Sequence, residues 1–282
     1  MDITKDKCTI CNETNFSKIQ YGNHLNKINR TYIKHSIASI ILPILRLFHS
    51  RYYNWLSMKM LFSPFFHIMK CNFCGYGKYG RQISSVLVEK YYNTVYWNAA
   101  GLPSAMWHQE ALYLENPRAN GQYHCVYEWI KQYDELNILE IGAGSALFSR
   151  VLKHKHSREV HLSAIEPGNG WHSYYASIGI SLLAKYFPFE SSQKFHYIHT
   201  SHWFEHVLDI DGALNVIRGI LVENGLLFIE VPNCNDEYFL LDTGDTPHIH
   251  FFTKKSLCIL LENNGFKTLT IDEYGLTNRE EY

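Results

Sequence analysis

An apolar tetrapeptide, Ile138-Leu139-Glu140-Ile141, runs straight into Gly142-Ala143-Gly144. A stretch of helical period follows at 145–153, with Leu147, Phe148, Val151 and Leu152 on one face. Strand, glycine turn and helix in that order commit the surrounding chain to βαβ geometry. The glycines allow a sharp turn and a close backbone approach to a ligand, and the following helix presents unpaired N–H groups there. The rhythm continues downstream. Residues 160–165 read as a second strand ending at Glu166-Pro167-Gly168, and 180–187 and 195–200 as the next two. Residues 209–223 form an amphipathic helical pattern closed by Gly225, and 226–231 read as a strand stopped by Pro232. Residues 254–264 read as a helix ending at Gly265, and 266–271 as a last strand. The expected fold is α/β: a Rossmann-like, mostly parallel sheet with helices on both faces.

Upstream, the cysteines set the pattern. Seven occur, an odd number behind a charged start that lacks the apolar stretch of a signal peptide, which argues against a disulfide framework. Cys8-x-x-Cys11 and Cys71-x-x-Cys74-Gly75 each let two thiolates bite one metal from a tight turn. Together they predict a closed four-sulfur site for one structural zinc. The gap of roughly sixty residues between the pairs holds an apolar insert, 31–69, with expected helices at 37–47 and 52–62; closure entropy rises slowly enough with length to permit it. The expected layout is a zinc-binding region at 1–90 that includes this insert. A connecting helical region follows at 91–134, ending in a helix at 123–133, and the cofactor-binding domain covers 135–282.

Charge and hydropathy narrow the partners. With 26 basic against 27 acidic side chains the net charge is −1, so no global field draws the chain to DNA, and RNA is disfavoured. The longest apolar run, 37–48, is broken by Ser39, Pro43 and Arg46 and falls short of the ~20 residues that span a bilayer. The expectation is a cytoplasmic protein without a transmembrane segment. Nothing in the pattern sets an oligomeric state.

A carboxylate, Glu166, ends the second strand and can accept from both hydroxyls of a ribose. With the glycine turn it indicates a nucleoside-containing cofactor at the carboxyl ends of the strands. After the fourth strand His199, His202, Glu205 and His206 crowd one segment, and Glu205-His206 is the pair best suited to take a proton from an acceptor. The same Glu and His could instead cap the next helix. His202 is a second candidate. His248, two before His250 in the loop after the fifth strand, is a third, with substrate contact and plain loop packing both open.

The segments "ILEIGAGSALFSRVL", "AIEPG", "HTSHWFEHVLD", "LVENGLLFIEVPN" and "PHIHFFTKKSL" occur in this order. Together they resemble class I S-adenosylmethionine-dependent methyltransferases over about residues 136–271. The resemblance implies that Glu140, Gly142, Ala143 and Gly144 approach the amino-acid end of the cofactor and that Glu166, with Pro167, holds its ribose. It also implies that the Glu205-His206 segment borders the active site. His196 departs from the family, which usually carries Asp there, and the family's acidic adenine contact is not evident. A subset with an N-terminal zinc-binding domain has similar cysteine pairs followed by a pattern like Tyr91-Tyr92-Asn93-Thr94-Val95-Tyr96; it includes methyltransferases of deoxysugar nucleotides. The implied function is methyl transfer to a sugar or sugar-like precursor of a surface glycan or secondary metabolite. Rival readings are an RNA methyltransferase with a zinc ribbon, or a non-catalytic module on the same fold.

Overall fold

The computed structural model describes residues 7–20, 67–79, 113–240 and 248–274. In chain order the strands and helices begin with β1 (Phe16–Gln20), β2 (His67–Cys71), β3 (Gly77–Tyr79), α1 (Pro117–Ile130) and β4 (Glu135–Ile141). Next come α2 (Leu147–Lys155), β5 (Glu159–Ile165), α3 (Asn169–Ile178), β6 (Ile180–Ala184) and β7 (Phe195–Ser201). A 3-10 turn (Phe204–His206), α4 (Ile210–Ile220), β8 (Leu221–Glu230), a second 3-10 turn (Tyr238–Leu240), β9 (His250–Phe251) and α5 (Lys254–Asn263) complete the described set.

These residues form two compact units, one built from 113–231 and the other from 7–20, 67–79 and the described part of 232–274. The first holds a five-stranded sheet in the order β6-β5-β4-β7-β8, every pair parallel. The chain runs outward from β4 to β6, then returns to the other side of β4 with β7. Order therefore reverses between β4 and β7, and the carboxyl ends of these two strands flank the crevice where such sheets bind ligands. Period-2 alternation splits β4 between two buried faces. Leu136 and Ile138 join a core with Leu162, Ala164, Tyr197 and residues of α1, α2 and α3. Leu139 and Ile141 are buried on the opposite face. On α4, Ala213, Leu214, Ile217 and Ile220 are buried at helical spacing.

Elsewhere the structure departs from the sequence pattern. The helix expected at 123–133 starts six residues earlier, at Pro117, because Asn116 caps it by accepting from the Ala119 N–H at 2.9 Å and proline suits the first turn. Gly225 is not a helix cap: α4 ends in an extended Leu221, Asn224 takes the left-handed turn at φ 58°, and Gly225 already lies in β8. Residues 266–271 are not a strand. None of them joins a hydrogen-bonded ladder with a described strand. The helices expected at 37–47 and 52–62 fall outside the described residues, and the end of the insert, 67–69, belongs to β2.

The second unit is an antiparallel sheet in the order β1-β2-β3-β9, with β9 pairing Phe251 to Gly77 and His250 to Lys78. The described residues of 232–274, grouped by pattern with the parallel sheet, therefore sit with the cysteine pairs. Helix α5 explains why. Its cap, Thr253, shares a capping box with Ser256 and also donates to the Cys74 carbonyl at 2.7 Å. Further along, the Asn263 amide donates to the Ile10 carbonyl at 2.9 Å. One helix thus braces both cysteine turns.

Candidate active site

The glycine turn after β4 is held by carboxylates. Gly142 and Gly144 have φ of 71° and 50°, a region that favours glycine. A Cβ on Gly142 would lie 2.9 Å from Trp203, whereas at Gly144 it would meet nothing within 4 Å. The turn is therefore packed on one side and open on the other. Glu140, buried, accepts from the Ser149 backbone N–H at 3.2 Å and from the Ser149 hydroxyl, tying the end of β4 to the first turns of α2. Glu166, also buried, accepts from Gly144 N–H at 2.8 Å and Gly168 N–H at 2.6 Å. Each of its oxygens keeps a second lone pair for a further donor such as a ribose hydroxyl. Burial pushes both carboxyls up to about 7 against the hydrogen bonds they accept. Ala143 is buried, Pro167 is half-buried, and the Tyr175 hydroxyl donates to the Gly144 carbonyl. An open turn with a buried carboxylate across it fits the cofactor that the family pattern implies.

The carboxyl ends of β7 and β8 carry the second half of the site. His202 stands just past β7 with its Nδ1 3.2 Å from Glu205 Oε1 and its Nε2 3.4 Å from Glu230 Oε1. Glu205 is fully buried, and its Oε1 also lies 3.7 Å from His206 Nε2. Glu230 is held from α1, by the Arg118 guanidinium at 2.5 Å and the Gln122 amide at 2.6 Å. Both of those side chains also donate to the Ser201 hydroxyl, at 2.6 and 3.1 Å. Burial works against charge on His202, but its hydrogen bonds to Glu205 and Glu230 outweigh that and raise it to about 9. Glu230 moves the other way, to about 2: burial raises it, and His202, Arg118 and Gln122 together overcome the rise.

The sequence pattern thus found His202, Glu205 and His206 in one place, and it missed Glu230, Arg118 and Gln122. One signal was available: Glu230 is a lone carboxylate in an apolar strand, a position that demands a partner. His199, from the same cluster, is excluded from chemistry. It is fully buried and stacked between Phe148 and Phe228 at centroid distances of 3.9 and 4.8 Å. His196 accepts from the Asn137 backbone N–H at 3.0 Å, a structural use of the position where the family carries Asp.

The remaining candidates lie in the second unit. His248 is buried with its Nδ1 2.9 Å from the Tyr238 hydroxyl, and His250 is buried against the Tyr76 hydroxyl. His248, Ile249, His250 and Phe251 are all buried. Cys8, Cys11, Cys71 and Cys74 converge, their sulfurs all within 4.8 Å of one another. Cys8 and Cys74 are 3.7 Å apart and Cys11 and Cys71 3.5 Å. A tetrahedral zinc with Zn–S near 2.3 Å requires about 3.8 Å between sulfurs, so the set fits. Gly75, at φ 76° and with a Cβ position 2.8 Å from Thr253, is required by both conformation and space.

Comparison with known proteins follows the same lines. A family model described as a methyltransferase domain matches residues 107–271. The C-methyltransferase NovU of Streptomyces niveus is 34% identical over 80 residues, 26% of this chain and 18% of that protein's length. Among solved structures, the YcgJ protein of Bacillus subtilis is similar with a TM-score of 0.40 and 15% identity, over 50% of this chain and 68% of that one. CalS10, an amino pentose methyltransferase from Micromonospora echinaspora, is similar with a TM-score of 0.35 and 13% identity, over 45% and 60%. No described helix is long and apolar enough to cross a membrane. The chain belongs to the class I S-adenosylmethionine-dependent methyltransferases.

Proposed function

We propose that the protein transfers a methyl group to a small-molecule acceptor, a sugar or sugar-like precursor of a glycan or secondary metabolite, in the cytoplasm. The observation that carries this reading is the pairing of an open glycine turn, faced by Glu166, with a histidine–carboxylate group at the end of β7. When bound, S-adenosylmethionine supplies an electrophilic methyl group. Gly142, Ala143 and Gly144 give it backbone to lie against, Glu140 fixes the turn beneath, and Glu166 with Pro167 receives the ribose. His206 takes the proton from the acceptor, with Glu205 orienting its ring and stabilising the charge it gains. The similarity to a C-methyltransferase supports a small-molecule acceptor. The four cysteines hold one structural zinc, whose thiolates suit a reducing compartment.

Calorimetry with S-adenosylhomocysteine tests the cofactor site. Gly144→Val fills the open side of the turn and Glu166→Ala removes the ribose acceptor, so both should weaken binding at least tenfold while the far-ultraviolet circular dichroism is kept. Unchanged affinity in both would put the pocket elsewhere. Once an acceptor turns over, His206→Ala should lower the rate by roughly 10²–10⁴ with cofactor affinity kept. A loss of that size in His248→Ala instead would move the base to His248.

A further inference from the structure

His202 has φ of 50°, in the left-handed region where a non-glycine residue persists only if its surroundings over-determine it. Its backbone N–H donates to the Glu230 carbonyl at 3.0 Å. Its ring sets Nδ1 3.2 Å from a Glu205 oxygen and Nε2 3.4 Å from a Glu230 oxygen. A neutral imidazole has one N–H and one lone pair. Set between two carboxylates, it would satisfy one and turn its lone pair on the other, whereas the imidazolium donates to both. The geometry selects the cation.

Glu230 is fixed before it meets His202. Arg118 and Gln122, one turn apart on α1, engage its two oxygens and share Ser201 as a second anchor. We propose that Glu230, held by Arg118 and Gln122, is a positioning residue that keeps His202 as an imidazolium bridging Glu205 and Glu230 at the carboxyl end of β7. Among the described residues, the charged and titratable groups around the ring are Glu205 and His206 on its own segment, Glu230 on β8 and Arg118 on α1. Of these, the Arg118 guanidinium opposes its charge.

The consequence, which rests on the methyl-transfer reading of this crevice, is a division of labour. Glu205, kept as a carboxylate by a fixed cation, is a weak base at neutral pH, so accepting a proton falls to His206. A standing positive charge also lies close to where an acceptor becomes negative as it loses its proton.

The test is a ring-nitrogen titration by NMR on the full chain with 15N-labelled histidine, the His202 signals being assigned by their loss in His202→Gln. In the wild type both His202 nitrogens should stay protonated well above neutral pH. In Glu230→Gln the midpoint should fall by about one to three pH units, the size expected for removing a carboxylate at this distance. Glu230→Asp, which keeps the charge, should restore part of the shift, an effect that a merely structural glutamate would not give. A wild-type ring that is neutral at neutral pH overturns the proposal even if Glu230→Gln fails to fold. So does an unmoved midpoint in a folded Glu230→Gln. Failure of the wild type to bind S-adenosylhomocysteine would defeat the methyl-transfer reading while leaving this titration as informative as before.

Discussion

At the scale of single residues, the histidines after β7 show how burial divides side chains that look alike in sequence. His199 accepts or donates at Nδ1 with the Tyr197 hydroxyl, 2.8 Å away, while its Nε2 finds no partner among the described residues. Burial holds its pKa down to about 3. The unfolded chain binds a proton here below about 6.5, whereas the folded chain does not until about 3. Stability from this site is therefore complete above 6.5 and falls with acid by up to about 1.4 kcal/mol per pH unit. His199→Phe keeps the stacked shape and removes the proton site. Urea midpoints taken near neutral pH and in mild acid should converge in the variant relative to wild type; an equal acid loss in both would rule out His199 as the source. His202, three residues on and 45% exposed, shifts the opposite way because two carboxylates reach it. Sequence shows the crowding of such residues but not which are sealed off. Neither could it show Arg118 and Gln122, which reach Glu230 from 112 and 108 residues away only because α1 packs on this end of the sheet.

Elements whose boundaries depend on local chemistry were legible, and those that depend on a neighbour were not. β4, β5 and β7 follow from apolar runs, and α5 from helical spacing and Gly265. The strand pattern of 266–271 fails because pairing is supplied by another segment, which no local signal reports. Gly225 misled for a related reason: Asn224 bears the positive φ one residue earlier. The caps make a measurable comparison. Asp209 caps α4 by accepting from Gly212 N–H at 2.9 Å, so Asp209→Ala should cost about 1 kcal/mol in the unfolding of its unit. Thr253 caps α5 and also donates to the Cys74 carbonyl. Thr253→Ala should cost about 2 kcal/mol, the sum of a cap and a lost hydrogen bond. Chemical denaturation of each variant checks the order; equal losses would mean that the Thr253–Cys74 bond contributes nothing.

At the scale of the whole molecule, the family pattern carried the parallel sheet and the glycine turn, and the paired cysteines carried the four-sulfur cluster. The joining of 232–274 to those cysteines was written in neither. Purified protein made with zinc present should carry about one zinc per chain, because four sulfurs at tetrahedral spacing form a closed site. A strong chelator should then lower the melting temperature of the cysteine unit, with little change in the parallel-sheet unit; metal-free protein with an unchanged melt would defeat the assignment. The bond from Asn263 to Ile10 closes a separation of 253 residues. On the ribosome this means that the first cysteine pair emerges long before the helix that braces it has been made. At about 5–20 residues per second the delay is roughly ten to fifty seconds. During that interval Cys8 and Cys11 are an open dithiol on a growing chain, exposed to oxidants and to competing metals. The parallel-sheet unit, whose described residues run unbroken from 113 to 231, can fold while they wait.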